Sequence, residues 1–197
     1  MFTDSTPYFS VKHNFSAYLS PWPKEQALPT EHELRAMLPT GLLLINEVKS
    51  LESDCLLQLR HLDDEAKTVV DYLKLQSRKI DLVLQYVLER EQHEGEQYRG
   101  AYFGGSGIRI ISDTQLVENA QFKITLHIRD ELVALLCFVK VTVSEPLDTD
   151  DNQASGQYIS SLEFTQILET DVEQLVKASL SVQQKQLKLR KQAKSSS

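Results

Sequence analysis

Apolar residues recur at helical spacing through residues 42–92. Leu44, Val48, Leu51, Cys55, Leu59, Leu62, Ala66, Val69, Leu73, Ser77, Ile80, Leu84 and Val87 follow steps of 4, 3, 4, 4, 3, 4, 3, 4, 4, 3, 4 and 3, and only Ser77 is polar. Neither Pro nor Gly interrupts the stretch, and charges such as Glu52, Asp71 and Arg78 fall largely on other faces. The spacing predicts a long amphipathic helix over 42–92. If unbroken, its 51 residues would span about 76 Å. A compact domain of this size is only roughly 40 Å across. The stripe therefore either breaks into a hairpin, weakest at His61-Leu-Asp-Asp64, or pairs with another chain as a coiled coil. The mixed 3–4 and 4–4 steps assign no oligomer number.

Upstream, residues 1–41 are mixed and punctuated by proline. Tyr8–Val11 reads as a short strand, and Ser20-Pro-Trp-Pro23 as a turn or extended stretch. Thr30-Glu-His-Glu33 has capping-box spacing and opens a short helix that Pro39 stops.

Beyond residue 98 the period changes from 3.6 to 2. Ala101–Phe103 and Gly107–Ile111 read as strand pieces around a glycine cluster. Phe122, Ile124, Leu126 and Ile128 alternate with Lys123, Thr125, His127 and Arg129, as in a half-buried strand. Arg129-Asp-Glu131 is the turn before a nearly all-apolar central strand over 132–143. An acidic loop over 145–157 precedes a last strand carrying Tyr158, Ser160, Leu162 and Phe164. Thr170-Asp-Val-Glu173 repeats the capping-box spacing and opens a terminal helix. A basic stretch follows (Lys185, Lys188, Arg190, Lys191, Lys194), whose charge suits a helix C-terminus. Consecutive strands with short turns point to an α+β protein: a small antiparallel barrel or sandwich over 98–191, helices before it, a C-terminal helix, and a disordered tail over 192–197.

Composition narrows the class. The 197 residues carry 21 Lys+Arg against 28 Asp+Glu, a net charge of −7, which argues against nucleic acid as a partner. No apolar run approaches the ~20 residues of a membrane span, and no secretory signal is visible at Met1–Ser10. Cys55 and Cys137 lie in apolar contexts and read as free buried thiols of a cytoplasmic protein.

Catalytic chemistry has no visible carrier. The chain lacks GxSxG, GxxxxGK[ST], HExxH and CxxC, and its five histidines have no metal-ligand spacing. His127 falls on the polar side of its strand, as an exposed or hydrogen-bonded histidine. The expectation is a non-enzymatic protein with no cofactor and no metal.

The order of the C-terminal half is informative. Tyr102-Phe-Gly-Gly-Ser-Gly-Ile-Arg-Ile110 leads into LVENAQFKITLHI, LLCFVKVTVSE, GQYISSLEF and LETDVEQLVKASLSVQQKQLKLRKQ. This order resembles the PilZ domain, a small barrel that serves bacteria as a cyclic di-GMP receptor. The helix ahead of it, with LKLQSRKIDLVLQYVL, resembles the atypical subgroup in which an inserted long helix drives self-association into tetramers. The resemblance implies a cytoplasmic regulatory protein, a homo-oligomer (dimer or tetramer) held by the helix stripe, and an unnamed protein partner. It implies that Tyr8–Val11 supplies the barrel's first strand, with the helices inserted after it.

In that family an RxxxR pair and a [D/N]xSxxG motif grip the nucleotide. Paired guanidiniums fork onto phosphates and stack on guanine. No RxxxR exists here: Arg90, Arg99 and Arg109 are nine and ten apart. Placing the motif glycine on Gly107 puts Tyr102 at the Asp/Asn position and Gly104 at the Ser position, with Ser106 displaced. Two readings follow. One is an interaction module with a lost or weakened nucleotide site. The other is a true cyclic di-GMP receptor with a non-standard site drawn from Arg99, Gly104, Ser106, Gly107 and Arg109.

Overall fold

The structure is a computed structural model that describes residues 10–59, 67–90, 93–147 and 156–195. Six strands form it: β1 (Ser10–Trp22), β2 (Glu96–Gly104), β3 (Gly107–Ser112), β4 (Gln121–Ile128), β5 (Val133–Pro146) and β6 (Tyr158–Gln166). They close into an antiparallel barrel in the order β1-β2-β3-β6-β5-β4. The helices are α1 (Glu31–Ala36), α2 (Thr40–Leu59), α3 (Lys67–Arg90) and α4 (Glu169–Ser195). The chain divides into two compact units, residues 37–92 and the remainder.

The barrel follows from period-2 patterning. Ile124, Leu126 and Ile128 of β4 point inward with Leu135, Cys137, Val139 and Val141 of β5, all buried. The 3₁₀ turn Arg129–Glu131 joins these two strands, and Leu132 ends it in the left-handed region (φ 51°). Phe103 lies at the centre, with Phe15 packed edge-on at 5.9 Å. Leu175, Ala178 and Val182 of α4 add one helical face to the same core. Gln186 ties α4 to β1 by donating from Nε2 to the Lys12 carbonyl at 2.7 Å.

Several expectations need correction. The first strand covers Ser10–Trp22, far beyond Val11 (Tyr8 and Phe9 lie outside the described residues). Its inward positions are Val11, His13, Phe15, Ala17 and Leu19. A histidine and an alanine among them weaken the apolar alternation, and a register shift between Lys12 and Phe15 interrupts the pairing. Pro21 stands inside the strand, opposite Phe122, where β1 pairs only with β4. The helices do follow β1, as the resemblance implied.

The two capping boxes part ways. Thr30 caps α1 as the spacing predicts: its amide donates to Glu33 Oε2 at 2.7 Å, and the Glu33 amide donates to Thr30 Oγ1 at 3.4 Å. Thr170 does not cap α4. The Asp171 and Val172 amides both donate to the Leu168 carbonyl, so the helix starts earlier, behind the buried Leu168. At its other end α4 runs to Ser195, where a tail was expected.

The stripe over 42–92 forms a helix pair. α2 and α3 pack on each other, and burial raises the Asp81 pKa against the opposing pull of Lys49. Those residues lie 32 positions apart, about 48 Å along one straight helix, so the stripe folds back on itself and does not run as one helix. Leu62, Ala66 and the suspected break at His61–Asp64 lie outside the described residues, as does the side chain of Leu59. Cys55 is exposed, which corrects its reading as a buried thiol; Cys137 is buried. The reason is that Cys55 sits on a helix face that nothing in the described chain covers.

Candidate functional site

A groove of about 250 Å³ opens on the outer barrel wall. Ser10, Tyr102, Ser106, Gly107, Ile108, Arg109, Thr142, Ser161, Leu162 and Glu163 line it. Strand pairing builds it. Tyr102 of β2 stands opposite Arg109 of β3, which stands opposite Ser161 of β6. The outward alternates of three neighbouring strands thereby converge. The Arg109 guanidinium lies over the Tyr102 ring, 5.4 Å from its centroid. Thr142 Oγ1 donates to the Ser161 carbonyl at 3.1 Å, and Glu163 pairs with Gly107 across the strands.

The chemistry on offer is a cation–π platform, four hydroxyls and one carboxylate. A planar polar group can stack on Tyr102 and Arg109. The hydroxyls of Ser10, Ser106, Thr142 and Ser161 both donate and accept. Glu163 repels a second negative charge.

Three of the sequence-derived residues meet here: Ser106, Gly107 and Arg109. Gly104 is buried, pairs with Ser10, and does not line the groove. Arg99 lies outside it as well, exposed on β2 between Ser16 and Ile111. Among the described residues no arginine pair converges beside Gly104–Gly107. Sequence reasoning missed Ser10, Thr142, Ser161 and Glu163. Their strands are adjacent only in the closed barrel, so no local spacing announces them.

A second feature lies in the helical unit. Leu42, Ile45, Leu84 and Leu88 are buried. By contrast Val69, Tyr72, Leu73, Leu75, Ile80, Leu82, Val83, Tyr86 and Val87 of α3 are exposed, most of them by half or more. Leu43, Leu44 and Leu51 of α2 are exposed too. Of the sequence-derived stripe, Leu44, Leu51, Cys55, Val69, Leu73, Ile80 and Val87 face outward. Val48 is half-buried and Leu84 buried.

Two ionisable groups are perturbed. His127 is not an exposed histidine. Its ring packs edge-on against His93 at 4.5 Å and Tyr18 at 5.8 Å, and burial, then His93, lowers its pKa to about 4. Asp171 in the first turn of α4 is 1% exposed, with neither carboxylate oxygen hydrogen-bonded. Burial raises its pKa to about 6 against the opposing pull of Arg35. Among the described residues no helix is long and apolar enough to cross a membrane, and no cluster of three metal-ligating side chains occurs.

No protein-family model matches the sequence, and no curated protein does. Solved structures do resemble the fold. A pathogenic protein from Xanthomonas campestris, a tetrameric PilZ domain self-assembled via an unusual helical bundle, is 17% identical. The match covers 94% of this chain and 92% of that one, with a TM-score of 0.52. MrkH of K. pneumonia is 18% identical over 50% of this chain and 45% of its own (TM-score 0.41). The PilZ domain of YcgR from Escherichia coli, solved with c-di-GMP, is 15% identical over 50% of this chain and 77% of its own (TM-score 0.41). The fold is thus PilZ-like: a closed six-stranded barrel with a terminal helix, and helices inserted after its first strand.

Proposed function

We propose that this chain is a non-enzymatic, cytoplasmic PilZ-type regulatory protein of bacterial cyclic di-GMP signalling. In this reading it self-associates through the helical unit, presents its barrels to a protein partner, and holds a degenerate nucleotide site. The observation that carries the proposal is the apolar face of α3. Its nine large side chains present on the order of 800 Å². Monomers rarely expose a contiguous apolar patch above a few hundred Å², and about 800 Å² per partner is the scale of a stable interface. The face spreads round more than a two-residue seam, which suits a helix with two neighbours in a bundle. A tetramer, as in the Xanthomonas campestris protein, fits that width better than a dimer.

The groove supports the degenerate site. Cyclic di-GMP carries two phosphates, and the groove offers one guanidinium beside a carboxylate. Sedimentation of Val69→Asp/Leu73→Asp tests the assembly. Both side chains are exposed, so the variant is expected to keep the native circular dichroism spectrum and to sediment as a monomer while the parent sediments as an oligomer. A parent that is monomeric at tens of micromolar overturns the reading.

One observation favours the second reading, a true receptor: Arg109 and Tyr102 form a ready stacking platform beside Ser106 and Gly107. Isothermal titration with cyclic di-GMP separates the two. Saturable heat that Arg109→Ala abolishes and Arg99→Ala leaves intact establishes the receptor. Absence of binding to about a millimolar, at two temperatures, leaves the interaction module.

A further inference from the structure

The exposed face of α3 holds one order that the longer stripe concealed. Val69, Leu73, Gln76, Ile80, Val83 and Val87 follow steps of 4, 3, 4, 3 and 4. This is a strict heptad seam, distinct from the mixed 3–4 spacing through 42–92. Five of the six positions are apolar and exposed. The sixth, Gln76, stands half-buried within the seam. Val70, Ser77, Asp81, Leu84 and Leu88 are more buried than the seam's apolar members and lie on another face.

We propose that Gln76 sets the orientation and register of self-association: a second copy of α3 docks on this seam in parallel, with Gln76 against the Gln76 of that copy. This rests on the self-association argued above. The amide of Gln76 carries two donors and one acceptor oxygen. Once covered, it must be hydrogen-bonded or lose much of its hydration free energy. In a parallel, in-register pair each seam layer meets its own copy, so Gln76 meets Gln76 and the two amides satisfy one another. An antiparallel pair with full overlap sets Val69 against Val87, Leu73 against Val83 and Gln76 against Ile80, which buries both amides against a branched alkyl chain. Sliding the antiparallel pair to bring the amides together leaves Val87 without a partner. Charge points the same way. Lys79 flanks the seam at its middle, so an antiparallel pair places it beside the Lys79 of the other copy. A single polar residue in an apolar seam acts in this manner on orientation at a cost in stability.

Disulfide trapping tests the proposal in the full chain with Cys55→Ser. Val69→Cys is oxidised alone, and an equimolar mixture of Val69→Cys and Val87→Cys is oxidised in parallel. The expected result is rapid cross-linking of Val69→Cys to itself, with little product joining the two variants. Adding Gln76→Leu is expected to keep the oligomer and to shift the ratio of the two products by about tenfold toward the mixed one. An oligomer in which the mixed product dominates without Gln76→Leu overturns the orientation and leaves self-association standing. An oligomer whose product ratio ignores Gln76→Leu overturns the role of Gln76. A monomer by sedimentation overturns both this inference and the assembly beneath it.

Discussion

A Cβ placed on Gly107 would lie 2.3 Å from the carbonyl oxygen of Leu162. Gly107 is the one position that keeps the [D/N]xSxxG pattern of PilZ domains, and this contact gives it a structural reason to be glycine. The turn Gly104–Gly107 brings β3 so close to β6 that a methyl group would displace backbone. Gly107→Ala is therefore expected to destabilise the barrel by about 2–4 kcal/mol, seen as a lower urea midpoint. A neutral effect would show that β6 yields freely there and that packing does not require the glycine.

His127 makes the barrel acid-sensitive. Its folded pKa of about 4 lies below the ordinary 6.5, because burial and His93 disfavour the imidazolium. The unfolded chain binds the extra proton, so stability falls as pH drops from about 6.5 to about 4. His127→Phe is expected to remove up to about 2–3 kcal/mol of that loss. Denaturant titrations at pH 7 and pH 4.5 measure it. An unchanged difference between the two would place the acid sensitivity elsewhere.

Asp171 works in the opposite direction over nearly the same window. Its folded pKa of about 6 lies above the ordinary 3.8, because burial disfavours the carboxylate. The folded state therefore takes up the proton first, and stability rises as pH falls through about 6. At pH 7.5 the ionised, unpartnered carboxylate costs stability. Asp171→Asn is expected to raise stability there by about 1–3 kcal/mol and to steepen the loss on acidification that His127 causes. A drop in stability at pH 7.5 would mean that the carboxylate gains more from the α4 amides than burial costs it.

Cys137 and Cys55 differ in access. Cys137 is wholly buried, and burial together with the nearby Asp171 pushes its thiol pKa upward. A thiol-specific reagent is expected to modify Cys137 only on unfolding, at the global opening rate. Fast modification of Cys137 in Cys55→Ser would reveal a local opening of β5.

What sequence alone determined was everything carried by local period. The alternation in β4 and β6, the apolar run of β5 and the Thr30–Glu33 capping box each encode their own geometry. The amphipathic stripe was also legible, because 3.6-residue periodicity needs no partner to be seen. The order of strands and helices was enough to suggest a PilZ-like barrel. Tertiary structure decided whatever depends on which surfaces meet. β1 hid behind an inward His13, whose ring packs edge-on against Phe103 at 6.0 Å. Leu168 displaced Thr170 as the start of α4. The groove drew Ser10, Thr142, Ser161 and Glu163 from strands that only barrel closure makes neighbours. The stripe itself divided when α2 and α3 packed on each other: Leu84 turned inward, while Val69, Leu73, Ile80 and Val87 stayed outward. Period records that a face is apolar; only packing selects which apolar face is already covered.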